Sequence, residues 1–338
     1  MKAALISGAH DLRLAEVPSP VAGPGQVLIR VSHVGICGSD LSYYRHGAVG
    51  AFVVTEPLVP GHELAGVIDA DPSGTYPVGT RVTLHPASVG TPLPGLDDRP
   101  NIWPGGRYLG SAATTPHTQG AMSGLFLARL DQVRTLPDGL PLRRAALAEP
   151  LAVGLHALTI SGDVSGKRVL VSGAGPIGLL LAGACVARGA TVTVADVLPA
   201  ALERALGLGV SATVHVGVDP MPTEAFDVVF EASGAPPALS PCVNAVVRGG
   251  TMVQLGLVPG GNQPFDMAPV VARELIVRGS FRFNGELDEA IAMLASTPIL
   301  EKVVTHEFPL DDVVAAFDCA ADAAVSSKVL VVVDPKLG

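Results

Sequence analysis

A strand that runs straight into a glycine-rich turn and then a helix constrains this chain more than any other feature. Val169-Leu170-Val171-Ser172 is a continuous run ahead of Gly173-Ala174-Gly175-Pro176-Ile177-Gly178, and an uncharged helical stretch follows to Ala187. The spacing is G-x-G-x-x-G. Gly173 permits the tight turn, Gly175 the close approach of a pyrophosphate, and Gly178 the packing of helix on strand. Pro176 and Ile177 open the helix, whose first amides form an anion site. In a chain with 39 glycines the pattern carries little alone, so its context matters. The next strand, Thr191-Val192-Thr193-Val194-Ala195, ends in Asp196. That carboxylate lies near the ~20-residue spacing at which an acid takes the adenosine ribose 2′-hydroxyl. No arginine occurs in 197–202. NAD is therefore expected over NADP, whose extra phosphate would meet a like charge.

Strands and helices alternate from 168 to 257, and the strands are apolar runs such as Val228-Val229-Phe230, as when helices cover both sheet faces. This predicts a doubly wound α/β domain of the Rossmann type. Ser233 and Gly256, both at strand ends, are expected to line the nicotinamide half. The first 140 residues read differently, as short strands over 2–7, 11–17, 26–34, 63–69, 80–84 and 125–136 between Pro/Gly turns. They predict an irregular β domain. A long loop, 86–108, holds five prolines and four glycines, and Trp103 is expected to pin it. The segment 140–160 reads as helix. After about 275 the pattern mixes again, so the tail is expected to fold back onto the first domain. A length of 338 residues suits two domains. The expected division is 1–145 with 276–338, around a dinucleotide domain at 146–275.

Acidic residues exceed basic ones, 31 against 22, which argues against a nucleic-acid partner but leaves an anionic substrate open. Four scattered cysteines make no disulfide framework, and a reducing cytoplasm is the expected location. The apolar run 169–187 is cut by Gly173, Gly175, Pro176 and Gly178, which suits strand–turn–helix better than a membrane span. The expected partner is a small molecule.

Chemistry concentrates in Gly35-Ile36-Cys37-Gly38-Ser39-Asp40, directly after an apolar strand. An accessible thiolate at a strand end is a metal ligand or a nucleophile, although an isolated cysteine is more often simply buried. His62-Glu63 and Glu149 supply its company. Cys, His and Glu are all zinc donors, and three protein ligands with an open position is a catalytic arrangement. Neighbouring strand residues point to opposite faces. His62 and Glu63 can therefore share an ion only where the chain bends, and Gly61 offers the bend.

Gly-Ile-Cys-Gly-Ser-Asp, Gly61-His62-Glu63, Ala148-Glu149-Pro150-Leu151-Ala152-Val153-Gly154-Leu155-His156-Ala157 and the glycine fingerprint occur here in that order. Together they resemble the zinc-dependent medium-chain alcohol/polyol dehydrogenase family over nearly the whole chain. Leu41-Ser42-Tyr43-Tyr44, Tyr108-Leu109-Gly110-Ser111-Ala112, Pro116-His117 and Gly279-Ser280-Phe281-Arg282-Phe283 are most similar to its L-idonate 5-dehydrogenase branch, then to sorbitol dehydrogenases. The resemblance implies a split, GroES-like catalytic domain around a Rossmann core. It implies Cys37, His62 and Glu63 as zinc ligands, with Glu149 a fourth, direct or through water. It also implies Asp40 as a carboxylate orienting His62, Ser39 as acceptor of the substrate hydroxyl proton, and a homodimer or homotetramer.

Two departures stand out. The loop 86–108 lacks the four clustered cysteines that hold a structural zinc in many relatives, so one zinc per subunit is expected. Ser42 replaces a histidine that passes the proton onward, so either Ser42 relays through water or His46 substitutes. Arg282 and Arg45 are candidates to clamp a substrate carboxylate, Tyr43 either lines the pocket or belongs to the core, and His117 reads as a loop histidine. The expected reaction is zinc-assisted, NAD-dependent oxidation of a secondary hydroxyl on a sugar acid or polyol, L-idonate to 5-ketogluconate favoured. The alternatives are a sorbitol/xylitol-type dehydrogenase, a zinc-free quinone reductase, and a non-catalytic NAD(H) sensor.

Overall fold

The computed structural model describes residues 1–337. The parallel sheet has six strands in the spatial order Ala212–His215, Thr191–Asp196, Arg168–Ser172, Phe226–Glu231, Val246–Gln254, Ile276–Gly279. Every neighbouring pair in it is parallel, which is the dinucleotide-binding order with its switch point beside Arg168–Ser172. Alternation along the strands divides the core. Val169, Val171, Val228 and Phe230 face the helices Ala148–Ser161, Pro176–Ala187 and Pro199–Leu206. Leu170, Ala195 and Val229 face Leu239–Ala245. No helix among the described residues is long and apolar enough to cross a membrane.

The second sheet has seven strands. Val133–Thr135, Arg81–Leu84, Glu63–Ala70, Gln26–Gly35, Lys328–Val332 and Val304–Pro309 lie in that order, and Leu125–Arg129 also pairs with Gln26–Gly35. The tail therefore returns as expected, with Lys328–Val332 antiparallel to Gln26–Gly35. Two registers matter for the site: Gly35 sits opposite Glu63 on one side and Leu330 on the other.

The expected boundary at 275 falls one strand early. Ile276–Gly279 completes the parallel sheet, and Phe283, Leu287, Ala290, Ile291 and Leu294 join the core around Ala148–Ser161. The expected helix 140–160 is two helices, Leu142–Ala145 and Ala148–Ser161. Pro150 explains the break, because it has no N–H to give to the preceding turn and is tolerated only in the first turn of a new helix. The expected strand 125–136 is interrupted by a turn of 3₁₀ helix, Leu130–Gln132. Loop 86–108 closes on itself through the short pair Ala87–Ser88 and Arg107–Tyr108, and Trp103 Nε1 donates to Leu96 O at 2.8 Å, pinning it as expected.

Candidate active site

Cys37 is half-buried at the turn between Gln26–Gly35 and the helix Gly38–His46. Asp40, fully buried in that helix's first turn, accepts Cys37 N at 3.0 Å and Gly61 N at 3.1 Å. One carboxylate thus ties the cysteine turn to the histidine turn. This differs from the expected role: both Asp40 oxygens go to backbone amides, and His62 Nδ1 is buried without a partner. Burial raises the Asp40 pKa while His62 draws it down. Gly61, at φ +96°, makes the bend ahead of Glu63–Ala70. A Cβ there would come within 2.6 Å of Val34 Cγ1, so the turn accepts only glycine on both counts. Cys37, His62 and Glu63 converge, with one donor atom from each within 4.8 Å of the others.

Glu63 has a second partner. Lys328 Nζ, itself buried, donates to its two oxygens at 2.7 and 2.6 Å and to Ile36 O at 2.9 Å. Gly35 makes this possible, since a Cβ there would overlap the Glu63 carboxylate. Burial acts to lower the Lys328 pKa, but Glu63 and Cys37 outweigh it and the ammonium is held above its usual value. Around His62 the balance is similar. Burial disfavours a proton, yet Cys37, Glu149 and Asp40 hold the imidazole well above the ordinary histidine range. Both shifts have one cause, the thiol and carboxyl groups crowded around each basic side chain.

Glu149 is buried in the first turn of Ala148–Ser161 but lies outside the converging trio. Its Oε1 accepts the Tyr108 hydroxyl, and burial raises its pKa. The Tyr108 ring meets His62 edge-on, with centroids 5.3 Å apart. The Arg282 guanidinium lies 4.2 Å above that ring and 4.8 Å from the Phe281 ring. Arg282 is a non-glycine residue at φ +53°, a conformation costing roughly 1–2 kcal/mol. Asn101 braces it, donating from Nδ2 to Phe281 O at 2.7 Å and from its backbone N to Asn284 Oδ1 at 3.0 Å. Burial lowers the Arg282 pKa, opposed by Tyr108 and Glu149, and no carboxylate among the described residues pairs with it.

The glycine turn has the expected local geometry. Gly173 stands at φ +103°, where a Cβ would meet Ser233 N at 2.7 Å, whereas Gly175 has open space around it. A Cβ on Gly178 would overlap Gly173 O. Pro176 and Ile177 begin the helix. Asp196 accepts Ala174 N at 2.7 Å and Leu198 N at 2.9 Å, which leaves a lone pair on each oxygen. A cleft of about 260 Å³ joins the two halves. Cys37 and Glu63 lie on one wall, and Gly175 to Gly178, Asp196 and Arg204 on the other.

Several expected residues have other employment. Tyr43 is buried in the first-domain core, its hydroxyl accepting Ala112 N at 3.0 Å. Ser42 donates to Ala48 O at 2.7 Å, and Arg45 reaches Ala321 O at 3.0 Å, so neither faces the cleft. His117 is satisfied by Thr114 O within its loop and by Thr55 N, which donates to its Nε2 at 3.0 Å. Ser233 is held by Glu231, a fully buried carboxylate that also takes Gly234 N and Gln254 Nε2, and a Cβ on Gly256 would overlap this same hub. Ser39 is half-buried in the turn after Cys37.

Two family models match, one described as Zinc-binding dehydrogenase over residues 176–296 and one as Alcohol dehydrogenase GroES-like domain over 23–138. The L-idonate 5-dehydrogenase (NAD(P)(+)) of Escherichia coli (strain K12) is 34% identical over 90% of this chain and 91% of that protein. The chain belongs to the medium-chain alcohol/polyol dehydrogenase family. Among other relatives of this dehydrogenase, the sorbitol dehydrogenase of Mus musculus is 34% identical over 98% of this chain and 95% of its own length. The crystal structure of L-idonate 5-dehydrogenase from Escherichia coli str. K-12 substr. MG1655 superposes with a TM-score of 0.91 at 31% identity, covering 98% of both chains.

Family membership makes the protein an oxidoreductase and brings zinc and a nicotinamide dinucleotide with it. The residues present fit both groups. A thiol, an imidazole with a partnerless buried nitrogen and a carboxylate converge in a cation-seeking pocket, and the space over Gly175 lies open. Sequence reasoning missed Lys328, Arg204, Glu231 and the part played by Tyr108. A lysine opening the apolar run Lys328–Val332 was the one available signal.

Proposed function

We propose that this dehydrogenase oxidises a secondary hydroxyl of a sugar acid, of the L-idonate to 5-ketogluconate type, using NAD and a single zinc ion per chain. The observation that carries the reading is the shared cleft, with the Cys37/Glu63 wall facing the glycine turn. In this reading Cys37, His62 and Glu63 hold the metal, with Glu149 beside them. When bound, the metal supplies a Lewis acid for a hydroxyl oxygen and the nicotinamide supplies a hydride acceptor. Ser39, two positions after Cys37 in the chain, takes the hydroxyl proton. With Ser42 committed to Ala48 O, the exposed ring of His46 is the side chain left to pass it outward. Arg282 binds the substrate carboxylate, a role supported by its unpaired, half-buried guanidinium beside Glu149 and Tyr108. Gly173 to Gly178 take the pyrophosphate, while Ser233 and Gly256 border the nicotinamide half.

Subunits pair in this reading through Ile276–Gly279, which is exposed along its length at the edge of the parallel sheet. Its neighbour in the sheet is paired on both sides through Thr251–Gln254 and offers no free edge. Unpaired cysteines support a cytoplasmic location.

The deciding experiment is metal analysis with a substrate panel of L-idonate, 5-ketogluconate, sorbitol, xylitol, threonine and simple alcohols. Rates on sorbitol that match those on L-idonate would move the enzyme to the polyol branch, and indifference to a chelator would remove the zinc.

NAD preference rests on Asp196. Its two free lone pairs suit ribose hydroxyls and repel a phosphate, whereas Arg204 in the same cleft spends two donors on Ala323 O and Ala324 O. Asp196→Ala is expected to raise KM for NAD by about 10- to 100-fold, the worth of a charged hydrogen bond, while improving use of NADP. Equal losses with both cofactors would refute the assignment.

A further inference from the structure

The loop 86–108 carries no cysteine, and it ends in a residue that touches three groups of the site. Tyr108 is buried where the loop closes, paired with Ala87 across the short hairpin, and Leu109 N bonds to Pro86 O at 3.1 Å. Three of its surfaces are used. Its edge meets His62, its hydroxyl donates to Glu149 Oε1, and its face carries Arg282.

A phenol has one proton to donate, and here Glu149 receives it. Glu149 is a carboxyl group near the donor trio of Cys37, His62 and Glu63, and the Tyr108 hydroxyl is the hydrogen-bond partner that holds it apart from them. The face of the same ring is electron-rich and seats a guanidinium without consuming its N–H donors. Arg282 is therefore held in place while its hydrogen-bonding capacity stays free. Bracing of Phe281 and Asn284 by Asn101 fixes the backbone, while the rings of Tyr108 and Phe281 carry the guanidinium face.

We propose that Tyr108 is a positioning residue with two loads: its hydroxyl holds Glu149 outside the Cys37–His62–Glu63 donor group, and its ring seats Arg282 over its face, within reach of Glu149. Glu149 is then a neighbour of the ion rather than one of its direct ligands. The loop's conformation acquires a purpose, since it delivers one side chain to both the metal side and the substrate side. This rests on the metal and substrate-anchor readings given above.

The two loads separate by mutation. Tyr108→Phe keeps the ring and removes the hydroxyl, whereas Tyr108→Leu removes both. Each variant and the wild type are loaded with cobalt(II) in place of zinc, and metal content, the visible d–d spectrum and kinetics on L-idonate and sorbitol are recorded. Tyr108→Phe is expected to shift the d–d bands and lower kcat by about tenfold, with KM for the sugar acid nearly unchanged. Tyr108→Leu should show the same spectral change and, in addition, a rise of about tenfold in KM for the sugar acid but not for the neutral polyol, the scale of one charge-assisted contact. Where Tyr108→Leu does not fold, Arg282→Ala takes its place and must reproduce the KM rise with the wild-type spectrum. An unshifted spectrum in Tyr108→Phe overturns the first load. A KM rise equal on both substrates, or absent, overturns the second. A wild-type chain that takes up no cobalt would instead strike the metal reading itself, and this inference with it.

Discussion

Cys37→Ala is expected to lose zinc and turnover together, with kcat/KM down by about a thousandfold, the several kcal/mol that a Lewis acid contributes. The reason lies in how the neighbouring anions are already spent. Both Glu63 oxygens bond to Lys328 Nζ, both Asp40 oxygens to backbone amides, and Glu149 accepts Tyr108. Cys37 is the one sulfur donor of the group, and its side-chain partner is His62, a member of the same trio. Cys185 and Cys242 cannot stand in, since both are buried in the dinucleotide domain, where burial pushes each thiol up to about 12. The fold should survive, since Asp40 binds the backbone N–H of residue 37 rather than its side chain. NADH binding, followed by fluorescence, should be nearly unchanged because the glycine turn is untouched. Metal content after gel filtration and turnover in one preparation decide the matter. A variant that keeps its activity would remove the metal from the mechanism.

The parts of this site that were legible in the sequence are those fixed by local sterics. The roles of Gly173, Gly175 and Gly178 follow from spacing inside one turn, and the structure gives each the crowding or openness that its role requires. Gly61 was legible for the same reason. Gly35 was not, because its lack of a side chain serves a carboxylate on the opposite strand, and only the register shows it. Lys328 lies 265 positions from Glu63, and no local pattern announces a cation meant for a partner that distant. Asp40 was found for its residue type but given the wrong partner, since a carboxylate three positions into a helix has backbone amides closer to hand than any imidazole. Ser42 looked like a relay because side-chain chemistry was read without the turn at Ala48 that captures its hydroxyl. The extra strand Ile276–Gly279 was assigned to the wrong domain for a topological reason: an edge strand carries no mark of the sheet it joins.

Lys328→Met is expected to destabilise the protein by about 3–5 kcal/mol, the usual cost of breaking a buried ion pair from one side. Both partners are almost wholly enclosed, with 2% and 1% of the side chains exposed. The variant would leave Glu63 as an uncompensated buried charge, and Ile36 O would lose its donor as well. Glu63→Gln strands the ammonium and should cost a similar amount. The double variant removes both charges, so its cost should fall well below the sum of the two. A double-mutant cycle in urea measures that coupling directly. The metal gives the cycle a second dimension. A bound cation compensates Glu63 in place of Lys328, so Lys328→Met should be less destabilising with zinc present than after chelation. On the proposed ligand set the same carboxylate answers to two cations, Lys328 and the ion, which gives a buried lysine a role that an apolar side chain could not fill. Additive single costs, or a Lys328→Met penalty indifferent to zinc, would mean that the pair is only a fold contact and that Glu63 takes no part in holding the ion.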